Sequence, residues 1–370
     1  MVWATFLNNP SSCAAIAYNL GMTDITLALP FALPPAEMAP HLLRALQAPA
    51  LAALLGRHSL QQLHSFTQHS RVLPHEAWLA RTLDLAPAPI TFQTGAPLAG
   101  ACMRGCGLSA QAAAGHWLIL QPAHIQVSST HPSLADPRAL QLDEADARAL
   151  YDAARPYFEE LGKPLLFAAP GLWFVRADDW DQLATASPDS VVNQNLGDWL
   201  PEGDRARDYR RLQNEIQMLW HQHPVNAARE ARGLPAVNSY WCWGGSSNAA
   251  PASAPMLAVS GGPSWLQALA APELRQASVE QLLTRPGHSV AVVADLVAPG
   301  QASEWAEWIA ALQHIDQHWC APLLAALKDG RVGRVHLMLS HRESWLEVIS
   351  TKMAQRKFWR QPNLNLLKQA

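Results

Sequence analysis

Charge is scarce in this chain: only 15% of its 370 residues are Asp, Glu, Lys or Arg, and the formal net charge is -3. No run rich in Lys and Arg stands out, so the electrostatic footprint of a nucleic-acid-binding protein is missing. Cysteine is sparse as well. The five residues, Cys13, Cys102, Cys106, Cys242 and Cys320, are odd in number and scattered, which excludes a secreted disulfide framework and fits a reducing compartment. The opening stretch "MVWATFLNNPSSC" has no basic leader followed by an apolar segment, and no uninterrupted apolar run reaches the ~20 residues of a bilayer span. The expectation is a cytoplasmic protein that engages neither membrane nor nucleic acid.

Hydrophobic residues make up 49% of the chain, enough for a sizeable core in two domains or in one large α/β domain with an insertion. Strands are expected at "DITLALP", along "WLILQPAHIQV", at "PLLFAAP" and "LWFVR", then at "AVNSYWCW", "PMLAVSGG", "HSVAVVADLV" and "GRVHLML". Between them lie helix patterns: "EMAPHLLRALQ", "LDEADARALYDAARPYFEELG" stopped by Gly162, and one long helix through "SEWAEWIAALQHIDQHWCAPLLAAL". Another helix, capped by Asp204, puts Tyr209, Leu212, Ile216, Leu219 and Trp220 on one face before Pro224 breaks it. Alternation of strand and helix in the last third implies a parallel sheet.

The stretch "HPVNAAREARG" gathers more polar groups than any neighbour. Asn226 is expected to cap a short helical turn ended by Gly233, with Arg229 and Arg232 three residues apart on one side. Free N–H groups at a helix start, joined by two guanidinium forks, make a receptor for phosphate or carboxylate, bordered by His223 and Asn238. The alternative is structural: Arg229 and Arg232 pair with Glu230 or other surface acids, Pro224 breaks the helix, and Asn226 only caps.

From Leu212 to Gly245 the series "LQNEIQML", "HPVNAAREARGLPAVN" and "WCWGG" resembles the archaeal-type cofactor-independent phosphoglycerate mutases. His223, Pro224, Val225, Asn226, Arg229, Gly233, Pro235, Asn238, Trp243 and Gly244 each match that pattern. The features "LATASPDSVV", "LQNEIQMLW", "HPVN" and "KFWRQP" also resemble a proteobacterial regulatory group of the RpfE type. The resemblance implies an alkaline-phosphatase-like α/β fold: a parallel-sheet core with helices on both faces, formed by residues 1–110 and 246–370, and interrupted by a smaller α+β unit at 111–245. It also places Trp243 beside the anion pocket.

Mutases of this type use a hydroxyl nucleophile and two divalent metals, manganese or zinc, held by carboxylates and histidines. In "VVADLVAPGQASEW" Ala298 and Pro299 match the family's metal segment, but Gly300 stands where the liganding aspartate belongs and Glu304 where a histidine belongs. The family's Asp-His pair reads Ser340-His341. No nucleophile is assignable, and His341 with Glu304 would hold two cations weakly. The expectation is therefore a catalytically degenerate, regulatory protein that needs no cofactor and binds a small phosphorylated or carboxylate ligand. Two other classes stay open: an active metal-dependent phosphomutase or phosphatase, and a pure protein-interaction module.

The remaining candidates favour structural roles. His314 and His318 share a helix face without a third ligand, Cys102 and Cys106 in "CMRGC" lack a partner motif, and so does the "HQH" at 221–223. Trp305, Trp308 and Trp319 are spaced for packing. "SGGPSW" lacks the Lys-Ser/Thr ending of a phosphate loop.

Overall fold

The computed structural model describes residues 23–67, 70–85, 95–127, 131–247 and 255–368. The N-terminal stretch with Cys13 lies outside them. The strands are β1 (Thr23–Leu29), β2 (Leu60–Ser65), β3 (His116–Ala123), β4 (Ile125–Val127), β5 (Pro132–Leu134), β6 (Leu165–Ala169), β7 (Leu172–Arg176), β8 (Ser239–Ser247), β9 (Met256–Ser260), β10 (His288–Val293), β11 (Val332–Ser340) and β12 (Ser344–Thr351).

A six-stranded sheet runs in the order β2-β12-β11-β1-β10-β9. Its inner strands are parallel, with Leu27 beside both Ala291 and Leu337, and they read as the continuous apolar runs that strands covered on both faces require. Leu27, Ala28, Leu29, Val290, Ala291, Leu337 and Leu339 are buried. The mixed α/β architecture with a parallel core thus agrees with the expected fold class. Two antiparallel strands complete the sheet at one side: β11 turns back into β12, and β2 adds to β12 with Leu60 opposite Ile349. Neither strand was expected, because β2 ("LQQLHS") has no alternation of apolar and polar residues and is exposed along its length.

A second sheet, β6-β7-β3-β8, is antiparallel and is drawn from residues 116–247. Its core is aromatic. Trp173 meets Tyr151 and Trp220 edge-on at 5.3 and 6.0 Å, and Tyr209 packs against Trp180 and Tyr240, arrangements that ring quadrupoles favour.

Local corrections to the sequence expectations have simple causes. The helix Ala206–His221 starts at Arg205, which caps it with backbone only, and not at Asp204. The expected long helix is divided into Trp305–Ile315 and Ala321–Asp329 by a π-turn at Asp316–Cys320. There the carboxylate of Asp316 accepts from the backbone N–H of Ala50 and Leu51, so a tertiary bond to the start of the helix Pro49–Gly56 accompanies the local widening. Trp308 and Trp319 are buried as expected.

Candidate functional site

The polar turn folds as the helix Pro224–Ala231, and its cap is His223, whose Nδ1 accepts from the Val225 N–H at 3.3 Å. Asn226 is not the cap. It lies inside the first turn, where its amide donates to the carbonyls of Trp220 and Val237, both at 2.8 Å, and accepts from the Val237 N–H at 2.8 Å. The side chain thereby ties the preceding helix to the start of β8.

Arg229 is completely buried. Its Nε donates to the Pro235 carbonyl at 3.0 Å, one terminal nitrogen to Asp146 at 3.3 Å, and the other to the Leu140 carbonyl. Arg232, about half exposed, donates to the same Asp146 carboxylate at 2.6 Å and faces Asp143 at 3.8 Å. Asn238 bonds both the N–H and the carbonyl of Ile125, and the Trp243 indole donates to Gln121 at 2.7 Å. The structure sets Arg229 and Arg232 on one carboxylate, that of Asp146, while Asn226 bonds only backbone of Trp220 and Val237. Their donors are spent on the protein itself, because the carbonyls and Asp146 that pack against the turn need those partners when buried.

A second polar place lies where the carboxyl ends of β1, β10 and β11 open, the position at which parallel α/β sheets bind ligands. A groove of about 300 Å³ there is lined by Phe31, Asn193, Gln301, Ser303, His341 and Arg342, with Gly300 in its wall. Among the described residues six non-glycine residues have positive φ, and three of them, Phe31 (60°), Asn193 (63°) and Ser303 (58°), line this groove. Such conformations cost on the order of 1 kcal/mol each and persist only where the surroundings enforce them. Phe31 is held by its N–H bond to Ser340 and by the Trp308 indole on its carbonyl.

Arg342 reaches the groove while two of its nitrogens donate to the carbonyls of Ser190 and Val192, at 3.1 and 3.3 Å. Gln301 donates to the Asp189 carbonyl, accepts from Arg138 at 2.6 Å, and takes the Asn193 amide on its own carbonyl. Burial pushes the His341 imidazole down from its ordinary pKa, the Arg342 charge adds to that, and Glu37 opposes it. At neutral pH the groove thus offers a guanidinium, a neutral imidazole and amide groups. Behind Phe31, His75 stands edge-on at 5.8 Å, and burial drives its pKa to about 3. Glu76 beside it, also fully buried, is pushed up to about 8 by that burial and remains protonated near neutrality, with the Leu73 N–H on one of its oxygens.

A two-metal centre does not suit these donors. His341 lines the groove, but Glu304 is exposed at the cap of the helix Trp305–Ile315, Gly300 supplies no ligand, and the Arg342 guanidinium adds positive charge beside His341. Among the described residues no three His, Cys, Asp or Glu side chains are grouped to hold a metal ion. His314 and His318 stack at 4.0 Å on their helix, and Cys102 donates to the Trp265 carbonyl. Sequence reasoning stopped at His341 and passed over Arg342, Asn193 and Gln301. Arg342, adjacent to the matched His341, was the available signal.

No protein-family model matches the chain. A stretch of 57 residues is 33% identical to the 2,3-bisphosphoglycerate-independent phosphoglycerate mutase of Methanothrix thermoacetophila, a match that spans 15% of this chain and only 14% of that protein. Among solved structures, the PH0037 protein of Pyrococcus horikoshii superposes with a TM-score of 0.54 at 10% identity, covering 94% of this chain and 92% of that one. The cofactor-independent phosphoglycerate mutase of Thermoplasma acidophilum aligns over 94% of both chains at 13% identity with a TM-score of 0.44. The class so defined is a mixed α/β protein with the fold of the Pyrococcus protein and a groove at its strand ends. Among the described residues no helix is long and apolar enough to cross a membrane.

Proposed function

We propose that this chain is a phosphoglycerate-mutase-like protein of the alkaline-phosphatase superfamily that binds a small phosphorylated or carboxylate ligand and no longer carries out metal-dependent phosphoryl transfer. The ligand site is the groove of Arg342 and His341, and the arginine turn at 223–238 is scaffold. The carrying observation is the donor set: a guanidinium, an imidazole and side-chain amides converge where three strained residues are held. An anion there takes charge-assisted bonds from the Arg342 N–H groups that its two carbonyl partners leave over, while Gln301 and Asn193, bonded to the protein, shape the wall. A volume of about 300 Å³ suits a ligand of a few heavy atoms. A regulatory role follows from binding without turnover.

Thermal-shift titration with 3-phosphoglycerate and with inorganic phosphate tests this, repeated on Arg342→Met. A stabilisation by either anion that needs about ten times more ligand in the variant is expected. The same stabilisation surviving in Arg342→Met and disappearing in Arg232→Ala would return the site to the turn. The short match to the Methanothrix mutase supports a second reading, an active metal-dependent mutase. Stoichiometric manganese or zinc binding with turnover of 3-phosphoglycerate would establish that reading instead.

A further inference from the structure

We infer that β2 is a self-association edge, and that two copies of this chain pair antiparallel through it to join their six-stranded sheets. Among the described residues β2 is the terminal strand of its sheet. It carries no Lys, Glu, Asp or Pro, the residues with which proteins usually protect a strand edge, and Leu60 and Leu63 are 55% and 44% exposed. The Phe66 N–H donates to the Glu343 carbonyl at 2.7 Å, and the register sets Leu60 opposite Ile349 through Ser65 opposite Ser344. In an antiparallel pair, backbone groups alternate between the two sides. The even-numbered residues therefore bond β12, and the N–H and C=O groups of Gln61, Leu63 and Ser65 point away from it.

Those outward groups are self-complementary. With Leu63 on the two-fold axis, Gln61 meets Ser65 of the second copy, and about six backbone hydrogen bonds form. Leu60 then faces Phe66 of the second copy. The two ends of β2 also differ in charge. Near its start, Lys357 and Arg360 bond the His58 carbonyl and lie in a segment from Ser350 to Ala370 that contains Lys352, Arg356, Lys357, Arg360 and Lys368 and no acidic residue. Near its end stands the exposed Glu343. Antiparallel pairing sets the basic corner of each copy beside Glu343 of the other.

Met353, Phe358 and Trp359 at that corner are 68%, 79% and 67% exposed. They supply the apolar area that a six-residue strand lacks, since specific interfaces bury about 1,200–2,000 Å² in all. This also assigns a role to the "KFWRQP" motif, which the groove leaves unused. A lipid surface fits less well, because it would strip water from the outward β2 amides without replacing their bonds.

The test is light scattering combined with sedimentation equilibrium on the purified full chain, with amide exchange read at residues 61, 63 and 65. Twice the monomer mass, and slowed exchange at those amides, is expected. Leu63→Pro removes one outward N–H and leaves the β12 bonds in place, so it should yield a folded monomer. Arg356→Glu with Lys357→Glu should weaken association about tenfold, on the order of one lost ion pair. A monomer with fast exchange at all three amides overturns the inference, as does a folded Leu63→Pro dimer. If Leu63→Pro does not fold, the exchange result and the charge variant decide, and a dimer with unprotected β2 amides counts against it. Binding of anionic lipid vesicles by a monomeric protein would assign the corner to a membrane surface instead.

Discussion

The turn at residues 223–238 and the groove at the ends of β1, β10 and β11 both gather arginine and amide side chains that bond the protein's own backbone, yet only the groove borders open volume. In the turn, Arg229 is sealed from solvent and bonded to Asp146 and to two carbonyls, and Asn226 makes three bonds to backbone. In the groove, Arg342 is anchored from behind by two carbonyls and borders open volume. Density of polar residues in a sequence therefore identifies a place where bonds must be made. Burial and cavity decide whether the partner is the protein or a ligand.

The largest effect expected from this contrast is on stability. Arg229→Ala strips a buried guanidinium from Asp146 and leaves the Leu140 and Pro235 carbonyls without it, a loss of about 3–5 kcal/mol readable as a fall in urea midpoint. If Arg229→Ala folds with nearly wild-type stability and loses ligand affinity, the assignment of turn and groove is reversed.

A smaller effect comes from the protonated carboxyl behind the groove. The folded pKa of Glu76 is raised from 4.5 to about 8, so its contribution to stability is complete below pH 4.5 and is lost as pH rises through 8. His75, lowered from 6.5 to about 3, contributes stability that is complete above pH 6.5 and is lost as pH falls toward 3. Between 4.5 and 6.5 the two slopes oppose each other. From pH 6.5 to 8 only the Glu76 slope remains of the pair, about 2 kcal/mol in total at one proton. Urea titrations at these pH values should show that decline in the wild type and its absence in Glu76→Gln; equal slopes in both would show that Glu76 is ionised throughout.

Much of this architecture was legible in the sequence. The apolar runs of β1, β10 and β11 and the amphipathic helix over 206–221 follow from periodicity, whereas the cap of the next helix, expected at Asn226, is His223. β2 was not legible, since an exposed strand without alternation carries no signal until its neighbour is known; β12, largely buried, was passed over. The groove was hidden for a related reason. Phe31, Asn193, Gln301 and Arg342 are far apart in the chain, and only strand-end geometry joins them. The structural alternative for the arginine turn was visible from the start, and Asp146, some eighty residues upstream, is what favours it.

Next in size is ligand affinity. Replacing Arg342 with Met keeps the packing volume and removes the charge, so calorimetric titration with 3-phosphoglycerate should show about a tenfold loss, with a stability change smaller than that of Arg229→Ala. Comparable losses in both quantities would mean that Arg342 is scaffold too, and the contrast between the two regions would vanish.

The smallest effect concerns Gly300, where the sequence resemblance led to the expectation of an aspartate. A Cβ placed there would lie 3.1 Å from the Phe31 Cβ, and Phe31 is fixed in the left-handed region by its bonds to Ser340 and Trp308. The neighbour can give little, so Gly300→Asp should cost about 1 kcal/mol by overpacking, a fall of about 2 °C in melting temperature. One carboxylate beside the Arg342 charge is also too few donors for a divalent cation that expects several oxygen or nitrogen ligands. Manganese titration of the Gly300→Asp variant should therefore give no saturable binding. Tight binding would mean that the groove retains ligands beyond His341.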